Sequence, residues 1–345
     1  MELRSEVLAL RTRHAFNIAR EVGRDTRYNV WVRLVDAEGR EGWGEAPATP
    51  YYGETAEIVG AALPRLGSVL SEVAGDDPFQ LERIEAALEE SLGRNPAARV
   101  AVSAALHDLV GKRLGEPLWR VWGLDPAAAP VSSFTIGIDD LELMREKVQE
   151  AESHPILKIK VGTPDDEAIL GMIREEAPEK IVRVDANTGW SVKEAIAALP
   201  MLEEYEVELI EQPLVAHDIE GLRLLRERSS IPIIADESCS DLKDIAALVG
   251  AVDGINIKLT KCGSLREAIR MVHAARAHGM SVMLGCMIES TLGIAAAIQL
   301  APLVDYVDLD GAALLANDPF TGPGIDENGR LQFNEAPGLG VTKID

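Results

Sequence analysis

Polar and apolar positions change period twice along this chain. Tyr28-Asn29-Val30-Trp31-Val32-Arg33-Leu34-Val35 alternates with period two, as a strand does. Asp36-Ala37-Glu38-Gly39 reads as a turn, and Arg40 to Glu45 returns as the hairpin partner. Helical spacing follows over roughly 54–74, 80–93 and 97–114. Strands followed by helices predict an α+β domain over residues 1–125.

From 126 to 320 the pattern alternates throughout. Short apolar runs end at or near Ile136, Lys160, Asp185, Glu211, Asp236, Lys258, Gly285 and Asp308, with gaps of 24, 25, 26, 25, 22, 27 and 23 residues. Each gap holds an amphipathic helix. Two gaps carry the Ser-x-x-Glu signature of a capping box, Ser191 to Glu194 and Ser264 to Glu267. Eight parallel strands joined by helices close into a (β/α)₈ barrel, so the predicted class is α/β with an N-terminal α+β capping domain. The segments share no common pattern, which excludes a solenoid. Residues 321–345 are rich in Gly and Pro and are expected to pack back on the capping domain.

Composition narrows the function classes. Apolar residues make up 47% of the 345 positions, enough for a large core. The 34 basic and 57 acidic residues give a net charge of −23, which argues against nucleic acid as a partner. No apolar run is long enough to span a bilayer, so no membrane partner is expected. The start, Met1-Glu2-Leu3-Arg4-Ser5-Glu6, has no basic stretch followed by an apolar one, and a cytoplasmic protein is expected. Cys239, Cys262 and Cys286 are spaced for neither zinc nor a redox pair and suit a reducing compartment.

Polar residues interrupt the apolar runs at the carboxyl ends of the strands, where barrels of this kind build active sites. The second strand has Lys158-Ile159-Lys160 and the third Asp185-Ala186-Asn187. Glu211-Gln212-Pro213 ends the fourth, Asp236-Glu237-Ser238 the fifth and Asn256-Ile257-Lys258 the sixth. Asp185, Glu211 and Asp236 on adjacent strands would repel one another unless a hard divalent cation such as Mg²⁺ sat among them. Each acid could instead cap the following helix, but Glu is a poor N-cap and three at one level need another reason. Strands two and six face each other in a ring of eight. Lys160 and Lys258 would therefore flank a bound molecule, as inversion of a carbon by proton removal and return requires. An enediolate formed this way carries charge that the cation can stabilise. A free lysine has a pKa of about 10.4. Lys158, on the same side as Lys160, and the cation should together disfavour the charged form of Lys160.

This ordered set, with Lys258-Leu259-Thr260-Lys261 and the hairpin end Gly42-Trp43-Gly44-Glu45-Ala46, resembles the muconate lactonizing enzyme subgroup of the enolase superfamily. The resemblance covers nearly the whole chain. It implies Asp185, Glu211 and Asp236 as metal ligands, Lys160 and Lys258 as the acid–base pair, and Asn187, Asn256 and Glu237 as residues that orient them.

Within the subgroup, Tyr306-Val307-Asp308-Leu309-Asp310 points to a dipeptide. Two acids at i and i+2 on the eighth strand face the same space and suit an ammonium. The Asp-x-Asp also resembles the dipeptide epimerases, and that likeness implies Thr135, Lys158, Cys286 and Met287 as substrate contacts. The same likeness implies that the side chain of the epimerised residue meets the loop from Phe16 to Arg24. There Arg20 or Arg24 would suit a second carboxylate, as in L-Ala-D/L-Glu, whereas Tyr51 and Tyr52 would suit an apolar or aromatic side chain. The expected activity is thus a Mg²⁺-dependent dipeptide epimerase. The alternatives are o-succinylbenzoate synthase, N-acylamino acid racemase or cycloisomerase of the same subgroup. A homo-oligomer is left open.

Overall fold

The computed structural model describes residues 1–20 and 25–344. Strands β1 (Glu2–Arg11), β2 (Thr26–Val35) and β3 (Glu41–Ala46) form an antiparallel sheet in that order. The simple alternation read for β2 misses one thing: Asn29, Val30, Trp31 and Val32 are all buried. The strand is covered on both faces. Val30, Val32 and Leu34 join the core of the first unit, while Trp31 packs into the core shared with the barrel.

Three helices follow: α1 (Ala56–Val73), α2 (Leu81–Ser91) and α3 (Pro96–Leu114). Helix α3 is buried from Ala97 to Gly111, because one side faces this sheet and another, through Val100 and Ala104, faces the barrel. Its approach to β3 explains Gly42-Trp43-Gly44. A Cβ at Gly42 would lie 2.0 Å from the Ala105 carbonyl oxygen, and one at Gly44 2.1 Å from that of Ala101.

The barrel strands are β4 (Phe134–Ile136), β5 (Ile156–Lys160), β6 (Ile181–Asp185), β7 (Val207–Glu211), β8 (Ile233–Ala235), β9 (Gly254–Lys258), β10 (Ser281–Gly285) and β11 (Tyr306–Asp308). They pair in chain order, all parallel. The Ser133 N–H donates to the Val307 carbonyl at 3.0 Å and closes the ring between first and last strands. The α/β barrel read from the spacing is present. Only β8 stops short of the residue named for it, at Ala235, and Asp236 begins the loop.

Ser191 and Glu194 form a complete capping box. Ser264 makes only half of one: its hydroxyl accepts from the Glu267 N–H at 3.0 Å, but the Glu267 carboxylate is drawn to Leu242 and Arg270.

Glu45, at the end of β3, joins the first sheet to the barrel mouth. Its buried carboxylate accepts from Asn29 Nδ2 at 2.7 Å, from the Ser290 hydroxyl, and from the N–H groups of Ser290 and Gly293 at 3.1 and 3.2 Å. It thereby accepts from N–H groups at the start of the helix Thr291–Ile298 that have no partner within the helix. The C-terminal segment touches both parts. Leu339 N–H donates to Asp108, while Gly329 O accepts from Ser132. Among the described residues no helix is long and apolar enough to cross a membrane.

Candidate active site

Alternation along the barrel strands turns Lys158 and Lys160, Asp185, Glu211, Asn256 and Lys258 inward. Pairing sets Lys160 beside Asp185 and Asp185 beside Glu211, so the charged groups lie at one level. Asp185, Glu211 and Asp236 are buried to 1% exposure or less.

Each carboxylate has a lysine. Lys160 Nζ lies 2.6 Å from Asp185, and Lys258 Nζ lies 2.8 Å from Asp236 Oδ2. Lys158 Nζ is central: 2.6 Å from Glu211, 2.7 Å from Asp308 and 3.2 Å from Asp185. Burial alone would raise Asp185, but Lys160 and Lys158 hold it below the usual carboxylate range. Asp236 is likewise lowered, with Lys258 and Lys261 outweighing burial. Glu211 goes the other way: burial, with Asp185 beside it, pushes it up to about 7. Burial opposes the charge on Lys158 and Lys258, yet the surrounding acids raise both.

The loops after these strands are shaped around the acids. Asn187, Thr188 and Gln212 have φ of 43°, 68° and 33°, in the left-handed region that residues with a Cβ rarely adopt. Asn187 donates its N–H to Asp185 Oδ1 at 2.9 Å and its Nδ2 to Oδ2 at 3.2 Å. The Gln212 Oε1 accepts from the N–H groups of Asp236 and Ser238 at 2.8 and 3.0 Å and so fixes the loop that carries Asp236. Asn256 Nδ2 holds Glu211 Oε1 at 2.7 Å.

The donor chemistry fits a hard cation. Among the described residues no three acidic, His or Cys side chains converge as a ready ligand set, since each acid is turned towards a lysine. Yet a cation, the Lys158 ammonium, already sits between Asp185 and Glu211. The Glu211 Oε2 beside it lies off the hydrogen-bond direction and accepts no hydrogen bond. Oxygen donors around a small cation suit a divalent ion such as Mg²⁺.

One cavity opens over these groups. Lys158, Lys160, Asn187 and Lys258 line it from the barrel, with Thr135, Cys286, Met287, Asp308 and Asp310 on its other side. Asp185, Glu211, Asp236, Glu237 and Asn256 lie beneath that lining. Asp308 accepts from the Ser133 hydroxyl at 2.6 Å and is held low by Lys158 against the effect of burial. Asp310 accepts the Thr135 N–H at 2.6 Å; burial, with Asp308 nearby, pushes it up to about 7.

Arg20 reaches the cavity from the first unit. It pairs with Glu237, donates to the Asn187 carbonyl at 3.0 Å and stacks 3.9 Å over the Tyr51 ring. Arg24 lies outside the described residues. Tyr51 and Tyr52 line the cavity, as do Phe16, Ile18, Asn29 and Arg27. The sequence did not single out Asn29 or Arg27, because the strand that carries them has no motif to mark a cavity wall. Beside the cavity, burial, with Glu45 close by, pushes Glu289 up to about 8.

Comparison with known proteins agrees with this architecture over the whole chain. Residues 5–123 match the mandelate racemase / muconate lactonizing enzyme N-terminal domain, and residues 142–344 match the enolase C-terminal domain-like family. The L-Ala-D/L-Glu epimerase of Bacteroides thetaiotaomicron is 42% identical, over 97% of this chain and 86% of its own. A hydrophobic dipeptide epimerase of Roseobacter litoralis is 38% identical, over 99% and 98%. The crystal structure of the dipeptide epimerase from Enterococcus faecalis, complexed with Mg and L-Leu-L-Tyr, superposes with a TM-score of 0.91 at 33% identity, covering 99% of this chain and 98% of that one. The chain therefore belongs to the mandelate racemase / muconate lactonizing enzyme family of the enolase superfamily, and it is an isomerase.

Proposed function

We propose that this protein is a Mg²⁺-dependent dipeptide epimerase that inverts the α-carbon of the carboxy-terminal residue by 1,1-proton transfer. The observation that carries the proposal is the shape of one cavity. Lys160 and Lys258, on strands four apart in the ring, open into the same space as the Asp308/Asp310 pair.

In this reading Asp185, Glu211 and Asp236 hold the ion, which when bound stabilises the negative charge that develops on the substrate carboxylate. Lys158 neutralises that carboxylate. Asp308 and Asp310 take the peptide ammonium, one residue away, by charge-assisted hydrogen bonds. One of Lys160 and Lys258 removes the α-proton and the other returns a proton to the opposite face. The names of the relatives, L-Ala-D/L-Glu epimerase and hydrophobic dipeptide epimerase, support the substrate class. The acid pair weighs against N-acylated substrates, which lack the ammonium.

For the inverted side chain, Arg20 favours a second carboxylate, as in L-Ala-L-Glu. A second reading, an apolar or aromatic side chain, draws on two observations: Arg20 is already paired with Glu237, and Tyr51, Tyr52 and Phe16 line the same cavity.

The lysines give the test. Lys160→Ala and Lys258→Ala should each abolish epimerisation, and one of them should still exchange the α-proton of one epimer with solvent. Epimerisation retained in either variant would exclude the two-base scheme.

A further inference from the structure

Lys261 is the one lysine of the Lys258-Leu259-Thr260-Lys261 run that the proposed reaction leaves without a task. It does not line the cavity, and its side chain is fully buried. The helical turn Leu259–Cys262 directly follows β9 and ends at Gly263, with φ of 82°. This turn carries the Lys261 ammonium back beneath the end of the neighbouring strand. Four oxygens receive it there. Asp236 Oδ1 and the Asp236 carbonyl are both at 2.5 Å, and the carbonyls of Cys239 and Asn256 are both at 2.9 Å. Only Asp236 among them bears a charge, and a buried ammonium requires such a partner.

Asp236 is thus gripped at both oxygens, but unequally. Lys258, on Oδ2, lines the cavity and has one such contact. Lys261, on Oδ1, is enclosed and four times bonded. We propose that Lys261 is a positioning residue that pins Oδ1 and the main chain of Asp236, so that only Oδ2, on the side of Lys258, is left for a metal ion. The inference rests on the reading of Asp236 as a ligand. It gives the Asp236 carboxylate one fixed orientation, as groups behind a metal ligand commonly do.

Two simpler roles make different predictions. If Lys261 only ties two strands together, its loss lowers stability without changing metal affinity in the folded protein. If only its charge matters, removing a cation from beside a ligand strengthens Mg²⁺ binding. A positioning role weakens it.

The test is calorimetric titration of Mg²⁺ into the metal-free full chain for the wild type, Lys261→Met, Lys261→Gln and Asp236→Asn. Lys261→Met should weaken Mg²⁺ binding roughly ten- to a hundredfold, the usual effect of removing a group that orients a ligand. Lys261→Gln keeps an N–H donor and should lose less; if Lys261→Met does not fold, a loss of affinity in Lys261→Gln decides. Unchanged or tighter Mg²⁺ binding in a folded Lys261 variant overturns the proposal. Asp236→Asn should lose most of its affinity. Should it bind Mg²⁺ like the wild type, the reading of Asp236 as a ligand fails and the role of Lys261 falls with it.

Discussion

Lys158 on β5 reaches over β4 to Asp308 on β11, with Nζ 2.7 Å from Oδ2. The same ammonium lies 2.6 Å from Glu211 on β7, so one buried cation joins the proposed metal end of the cavity to the proposed ammonium end. With substrate bound, the carboxylate of the dipeptide would take its share of that charge. Without substrate, Lys158 compensates Glu211 and Asp308, while Lys160, Lys258 and Lys261 face Asp185 and Asp236.

Lys158→Met should therefore destabilise the metal-free protein as well as impair turnover. Removing one partner of a buried ion pair costs about 3–5 kcal/mol. The pH dependence has a defined sign. Lys158 holds Asp308 below its ordinary value, and that contribution is present above the unfolded-state pKa and lost as pH falls. The variant should thus lose more melting temperature at pH 6 than at pH 3, below the ordinary carboxylate value of 3.8. Equal losses at both, or none, in thermal denaturation would contradict this arrangement.

Asp310 is the second test of the ammonium end. Its carboxyl is pushed up to about 7, by burial first and by Asp308 next. Below that pH it is neutral and offers an ammonium little; above it, it is ionised and binds. kcat/KM for a dipeptide should accordingly rise with pH through about 7, and Asp310→Asn should remove that limb. At pH 8 the variant should lose roughly ten- to a hundredfold in kcat/KM, the loss of about 1.5–3 kcal/mol expected for a hydrogen bond to a charged group. The wild type should also reject an N-acetylated dipeptide. Equal processing of acetylated and free dipeptides would favour an N-acylamino acid racemase.

How far the sequence carried these assignments depended on distance along the chain. The strands were legible because each inward residue, such as Lys160, Asp185, Glu211 or Lys258, breaks an apolar run where the sheet ends. Asp236 was legible in the same way, although β8 ends one residue before it, since the loop keeps it at the same level. Features that need a remote partner were not legible. Glu45 and Ser290 are 245 residues apart, and neither has a local pattern that announces the other. Ser264 to Glu267 has the letters of a capping box, yet nearby Arg270 and the Leu242 N–H compete for the Glu267 carboxylate. Lys261 stood inside a recognised motif, but its task depends on the short helical turn that folds it back under Asp236.

Arg20 separates the two substrate readings. If its guanidinium receives a second carboxylate, Arg20→Met should lower kcat/KM for L-Ala-L-Glu by roughly tenfold or more, as loss of a charged hydrogen bond does. Turnover of L-Ala-L-Phe should change little. A uniform loss for both peptides in parallel kinetic assays would mean that Arg20 serves Glu237 and Tyr51 and not the substrate, and the apolar reading would then stand.

A dipeptide, with its skeleton intact, is expected to exchange and invert one α-hydrogen. Incubating L-Ala-L-Glu and a panel of apolar dipeptides with the enzyme and Mg²⁺ in D₂O, followed by mass spectrometry and chiral separation, measures this directly. The expected product has a D-configured carboxy-terminal residue carrying one deuterium at its α-carbon and an unchanged amino-terminal residue, with no turnover once the metal is chelated. Full turnover after exhaustive chelation, or no deuterium in any dipeptide, would contradict the proposed function.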